Sequence, residues 1–171
     1  AALTKGDVFV KNVLTEHIKS LIAKLHEMGL EMVEDISGVR VKGNGRLDSV
    51  DVKTLPYPGF PTDLQSQMMV LLTQTDGTSI IKETVWENRF MHVDELKRMG
   101  ADIKVDGRTA VVEGINKLSG AKVAATDLRA GAAMVIAGLV ADGVTEVDNV
   151  EHIDRGYEKI ENKLLNLGAK I

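Results

Sequence analysis

The spacing of apolar residues changes along the chain, and each change marks an element. V-F-V-K-N-V-L at positions 8–14 is rich in β-formers and predicts a strand. Ile18, Leu21, Ile22, Leu25 and Met28 then recur at helical spacing, and Gly29 is a natural residue to end that helix. Glu31–Asp35 and Gly38–Lys42 alternate as a hairpin, with a further strand over Leu47–Lys53. A helix follows from Thr62 to about Gln74, then a turn at Asp76-Gly77 and a strand reaching Val85. A short helix is predicted over Arg89–Met99, stopped by Gly100. D-I-K-V-D-G-R-T-A-V-V-E at 102–113 reads as a hairpin with Asp106-Gly107 at its tip, a type I′ signal. A strand over Lys122–Ala125 leads into a helix over Asp127–Ala141, whose apolar residues wrap most of its surface, as in a helix buried on several sides. After the Asp142-Gly143 turn come a strand at Val144–Val147 and a helix over Arg155–Leu167, ended by Gly168.

These elements repeat. Thr-Asp-Leu opens a helix at Thr62-Asp63-Leu64 and again at Thr126-Asp127-Leu128. The Asp-Gly turns at Asp76 and Asp142 are followed at one common gap by Arg89 and Arg155. Helix-ending glycines fall in M-G-L-E-M, M-G-A-D-I and L-G-A-K-I. The unit is roughly 65 to 70 residues, longer than most solenoid repeats, which predicts a pseudo-symmetric α/β domain rather than an open array. The chain starts inside one unit and stops inside another, as a piece of a larger protein would.

One stretch carries unusual chemistry. All three prolines lie in L-P-Y-P-G-F-P-T-D-L-Q, at Pro56, Pro58 and Pro61. Each fixes its own φ and restricts the residue before it, so this loop is stiff. Thr62 with Gln65 has the spacing of a capping box, which would hold Asp63 in the first helical turn at the positive end of the dipole. Asp63 then has two readings, a residue that helps cap the helix or a rigidly mounted catalytic base.

Composition narrows the field. An apolar content of 44% in 171 residues is enough for a buried core. A net charge of −4 argues against a general nucleic-acid binder but leaves small anions open, since those need only a few local arginines. Without cysteine, thiolate catalysis, disulfides and Cys-based metal sites are excluded for this chain. The four histidines lack H-E-x-x-H spacing, no Gly-rich phosphate loop is present, and no cofactor is implied. His92 and His152 are expected on the surface. No apolar run is long enough for a membrane helix and no signal peptide is visible, so a cytoplasmic location is expected, with no membrane or nucleic-acid partner.

Repeat symmetry brings equivalent positions towards a common face. Asp63 and Asp127 open helices, Arg89 and Arg155 each follow a strand and open a helix, and Arg129 lies two residues after Asp127. These carboxylates and arginines could surround one anionic substrate, because the guanidinium fork binds phosphate or carboxylate in a bidentate way. Equally, charged residues at helix starts often only cap or pair.

P-G-F-P-T-D-L-Q at 58–65, E-N-R-F at 87–90, T-D-L-R-A-G at 126–131 and D-R-G-Y-E at 154–158 resemble the UDP-N-acetylglucosamine 1-carboxyvinyltransferases, a branch of the enolpyruvyl transferases. The resemblance covers essentially the whole chain. It implies an inside-out α/β barrel of βαβαββ units, with helices inside and sheets outside. Residues 1–171 would be most of the domain that contains both termini of the full enzyme, lacking an N-terminal segment and a second domain. The implied reaction joins phosphoenolpyruvate to the 3′-hydroxyl of UDP-N-acetylglucosamine, releases phosphate, and begins peptidoglycan synthesis.

By resemblance, Asp63 binds and helps deprotonate the sugar hydroxyl, and the main chain at Val85 contacts the nucleotide sugar. Arg89, Arg129 and Arg155 surround the carboxylate and phosphate of phosphoenolpyruvate, and Asp127 orders them. The mobile loop carrying a cysteine or aspartate, further arginines, and a lysine and asparagine of the N-terminal segment would lie outside this chain, so the isolated chain is expected to be catalytically silent. Trp86 stands where relatives carry phenylalanine. The parent is expected to be monomeric, while uncovered strand edges would favour association of the isolated piece. A sibling transferase acting on shikimate 3-phosphate and a non-catalytic ligand-binding scaffold are the alternatives.

Overall fold

A computed structural model describes all 171 residues as an α/β fold in which two largely buried helices pack against each other. Strands β1 (Asp7–Lys11), β2 (Glu31–Asp35) and β3 (Gly38–Lys42) form an antiparallel sheet in the order β1-β3-β2. Helix α1 (Lys19–Glu27) lies between β1 and β2 in the chain and is preceded by a 3-10 turn at Thr15–Ile18.

The strand expected over 47–53 is divided into β4 (Leu47–Asp48) and β5 (Val52–Lys53). Side chains interrupt it. The Val50 N–H donates to Ser79 Oγ, and Asp51 Oδ1 accepts from the Ile80 N–H, so the ladder is carried across the kink by non-backbone groups. Either side of the kink, β4 pairs in parallel with β6 (Thr75–Asp76) and β5 with β7 (Thr78–Lys82). The hairpin β8 (Asp102–Asp106) and β9 (Thr109–Glu113) completes a four-stranded sheet in the order β5-β7-β9-β8. Its tip is not type I′, because Gly107 takes φ 55° while Arg108 keeps a negative φ, and that turn type needs both positive.

Helix α2 (Gln65–Leu72) is buried at Gln65, Ser66 and Met68–Leu72, and α4 (Leu128–Val140) packs directly against it. With so little polar surface, neither helix has a solvent face wide enough to lie outside the sheets. β7 buries Ser79 and Ile81 and exposes the residues between, which is the alternation of a sheet with one face on the core. Helix α3 (Val93–Arg98) and strand β10 (Lys122–Ala124) flank α4, and β10 pairs in parallel with β11 (Glu146–Asp148).

Three expectations about helices are corrected. The capping box at Thr62 does not form: Thr62–Leu64 is a 3-10 turn, α2 starts at Gln65, and no side chain caps it. The helix expected from Arg89 opens only at Val93, whose N–H bonds to the Phe90 carbonyl. The helix expected over 155–167 forms only as α6 (Ile160–Asn166), which starts after Lys159 takes a left-handed φ of 45°; a separate short helix, α5 (Glu151–Asp154), ends just before Arg155. No helix is long and apolar enough to cross a membrane.

Candidate active site

The stiff proline loop and the first residues after it deliver Asp63 to the edge of the α2–α4 pair. Its Oδ1 accepts from Arg129 Nε at 2.8 Å and lies 3.5 Å from an Nη of Arg89. No protein group bonds to Oδ2. The Asp63 side chain is 59% exposed, whereas that of Arg89 is 9% exposed, so the pair joins a buried cation to an anion facing solvent. Asp63 holds the Arg129 guanidinium above its ordinary pKa, chiefly through that hydrogen bond.

Asp127 is the N-cap of α4 in extended conformation. Its Oδ1 accepts from the N–H groups of Arg129 at 2.7 Å and Ala130 at 2.9 Å. The cap therefore fixes the backbone from which Arg129 reaches to Asp63. In the same helix, Gly131 allows α5 to close in, since a Cβ there would stand 2.5 Å from Ile153 Cγ1 and 3.0 Å from Ala125 Cβ.

Arg89 donates its Nε–H to Thr62 Oγ1 at 3.1 Å, and its guanidinium lies 5.5 Å from the centre of the exposed Trp86 ring, within cation–π range. Val85 is 40% exposed; its N–H is taken by Glu83 Oε1 at 2.8 Å, while its carbonyl has no protein partner. Asp63, Arg89, Arg129 and Asp127 thus come together. Arg155 does not join them: it is exposed at the end of α5 and pairs with no carboxylate, because α5 ends where a helix was expected to begin.

One residue of this region went unread in the sequence. Glu83 is 1% exposed and accepts four hydrogen bonds, from Thr54 Oγ1, Thr62 Oγ1 and the N–H groups of Val85 and Trp86. Burial alone would raise its pKa, but the bonds from Trp86, Thr54, Val85 and Thr62 outweigh burial and leave it lowered. The signal was legible, since Glu83 continues the inward register of Ser79 and Ile81. With the Val85 and Trp86 N–H groups taken by Glu83 and the Thr84 N–H by Thr54 Oγ1, β7 ends at Lys82, short of the strand expected to Val85.

His92, expected on the surface, is buried beneath the site. Its Nδ1 faces Ser66 Oγ at 3.4 Å and its Nε2 has no partner. Burial pushes its pKa down to about 4, against an upward pull from Asp127, so the ring is neutral. His152 is half-buried.

A charge-dense cluster of this kind, one carboxylate oxygen held by cations and the other free, can accept a proton or a hydroxyl from a ligand while guanidinium N–H groups face its anions. The model of the EPSP synthase family (3-phosphoshikimate 1-carboxyvinyltransferase) matches residues 1–164. The chain is 69% identical over its full length to a UDP-N-acetylglucosamine 1-carboxyvinyltransferase of Halothermothrix orenii, of which it covers 41%. It is 60% identical to one of Desulfofundulus thermocisternus, of which it covers 70%. The chain therefore spans well under half the length of the first of these relatives. Among solved structures, the enolpyruvyl transferase NikO of Streptomyces tendae superposes with a TM-score of 0.87 at 25% identity, over 99% of this chain and 41% of that one. From a match over nearly all of its residues, the chain belongs to the EPSP synthase family of enolpyruvyl transferases.

Proposed function

We propose that this chain is the greater part of one domain of a longer transferase that moves the enolpyruvyl group of phosphoenolpyruvate to the 3′-hydroxyl of UDP-N-acetylglucosamine and releases phosphate. The observation that carries this reading is Asp63, with one oxygen shared by Arg89 and Arg129 and the other unclaimed. In the addition step, Asp63 takes the proton of the sugar hydroxyl as its oxygen bonds to C2 of phosphoenolpyruvate and a proton joins C3. In the elimination step, the C2–O bond to phosphate breaks, C3 loses a proton and the double bond returns.

Arg89 and Arg129, with Arg155 after it swings in, face the carboxylate and phosphate whose charge shifts. Asp127 holds Arg129 in place, and the Val85 main chain faces the nucleotide sugar. The acid that protonates C3 comes from outside this chain, which is therefore silent alone. The full domain closes as an inside-out barrel of βαβαββ units, in a monomeric, cytoplasmic enzyme of cell-wall synthesis. The acceptor is supported by the shared name of relatives 69% and 60% identical to the chain.

The test is phosphate release from phosphoenolpyruvate by the full-length protein, offered UDP-N-acetylglucosamine or shikimate 3-phosphate. Release with the nucleotide sugar alone is expected. Release with shikimate 3-phosphate alone would assign the sibling reaction for which the family model is named. No release with either would leave a ligand-binding scaffold. The 171-residue chain by itself should release none.

A further inference from the structure

Glu83 touches neither Asp63 nor either arginine of the cluster, yet its four donors come from three separate segments. Thr54 follows β5, Thr62 follows the proline loop, and Val85 and Trp86 follow β7. Oε1 accepts from Thr54 Oγ1 at 2.7 Å, Val85 N at 2.8 Å and Trp86 N at 3.0 Å, and Oε2 accepts from Thr62 Oγ1 at 2.9 Å. An ionised carboxylate can only accept, and a hydroxyl has one proton. Thr62 must therefore spend its proton on Glu83, which turns its lone pairs outward, and one of them receives Arg89 Nε–H at 3.1 Å. The same guanidinium reaches Asp63 Oδ1 at 3.5 Å.

We infer that Glu83 is a positioning residue for the proposed transfer: its carboxylate orients the Thr62 hydroxyl, which in turn holds Arg89 against Asp63. The inference rests on the roles proposed above for Arg89 and Asp63. A neutral amide in place of Glu83 has the same shape but brings donors of its own. One of the threonine bonds must then reverse, and Thr62 can no longer be relied on to present its acceptor side to Arg89. Misplacement of a charged group by about 1 Å costs on the order of a hundredfold in rate.

The experiment uses the full-length protein. Glu83→Gln is expected to lower kcat about tenfold to a hundredfold while its urea midpoint shows a folded protein. Thr62→Val should reproduce that loss and Thr62→Ser should restore most of it. The Glu83→Gln/Thr62→Val double variant should be no slower than the slower single variant, because both break one path. A folded Glu83→Gln within twofold of the parent, or losses that multiply, would overturn the inference. A geometric readout stands apart from turnover. The Nε–H proton of Arg89, assigned by its loss in Arg89→Lys, should exchange with solvent about tenfold faster in Glu83→Gln and in Thr62→Val. Unchanged exchange in both overturns the positioning role even if the parent proves inactive, whereas an inactive parent with faster exchange overturns only the proposed reaction. If Glu83→Gln does not fold, Thr62→Val and Thr62→Ser decide alone.

Discussion

Thr62-Asp63-Leu64 and Thr126-Asp127-Leu128 share three letters and part ways in geometry. At the second, Asp127 sits in extended backbone just before α4 and turns its carboxylate inward to the Arg129 and Ala130 N–H groups. At the first, the helix begins two residues after Asp63, and the intervening turn is 3-10. There Thr62 is claimed by Glu83 and Arg89 instead of the helix, and Asp63 is left to face two guanidinium groups and solvent. One aspartate completes a helix and places an arginine; the other is what that arginine is placed against. The role of a capping sequence depends on what lies across from it, since a side chain that finds a stronger charged partner leaves the helix end to other groups.

Replacing each aspartate should separate the two roles. The largest effect is expected from Asp63→Asn in the full-length protein. Turnover should fall about a hundredfold to ten-thousandfold, the range for loss of a general base, with only a modest fall in urea midpoint, since the amide oxygen can still accept from Arg129 and the buried Arg89 keeps its bond to Thr62. Unchanged turnover would make Asp63 a second, merely structural, aspartate.

The pH dependence of stability should distinguish them next. The His92 pKa is lowered from 6.5 to about 4 by burial, with Asp127 pulling it upward. Over pH 4 to 6.5 the unfolded chain therefore binds a proton that the folded one refuses. This contribution to stability is complete above pH 6.5 and is lost as pH falls through 4, on the order of 3 kcal/mol. The acidic loss below the ordinary glutamate range that Glu83 adds comes later on the way down, since its pKa is lowered from 4.5. Asp127→Asn should move the His92 window further down by removing a facing negative charge, and Asp63→Asn should not. An imidazole titration followed by NMR reads this directly.

Gly131→Ala should cost about 1–3 kcal/mol by pushing Ile153 and α5 away, reduced by the better helix propensity of alanine, and the shift in urea midpoint measures it. The smallest effect, about 1 kcal/mol, belongs to the cap itself: Asp127→Ala should lose it and Asp127→Ser should keep most of it. An equal loss in Asp63→Ala would mean the two turns are alike after all.

Much of the fold was legible because local rules and tertiary demands agreed. The hairpins of β2–β3 and β8–β9 fall where the alternation places them, and Gly29, Gly100 and Gly168 end their helices with φ of 83°, 89° and 91°. The interruptions were not legible. The kink between β4 and β5 is made by Ser79 and Asp51 bonding across strands, and the end of β7 by Thr54 and Glu83 bonding to the N–H groups beyond it. In both, a side chain replaces a backbone partner, a substitution that periodicity does not register. His92 was expected on the surface because a lone histidine carries no pattern, and its burial depends on the packing of segments remote in the chain, Ser66 of α2 among them.

By itself the sequence determined the period of each element, the duplicated unit, the stiffness of the proline loop and the residue types of the charged cluster. Those follow from covalent geometry and from which faces must be apolar. Only the tertiary structure decided that Asp63, Arg89 and Arg129 meet while Arg155 stays apart, that Thr62 serves Arg89 instead of a helix, and that Glu83 directs it. Each of these depends on distance between segments remote in the chain, and hydrogen bonds and ion pairs act over a few ångströms that no spacing of letters encodes.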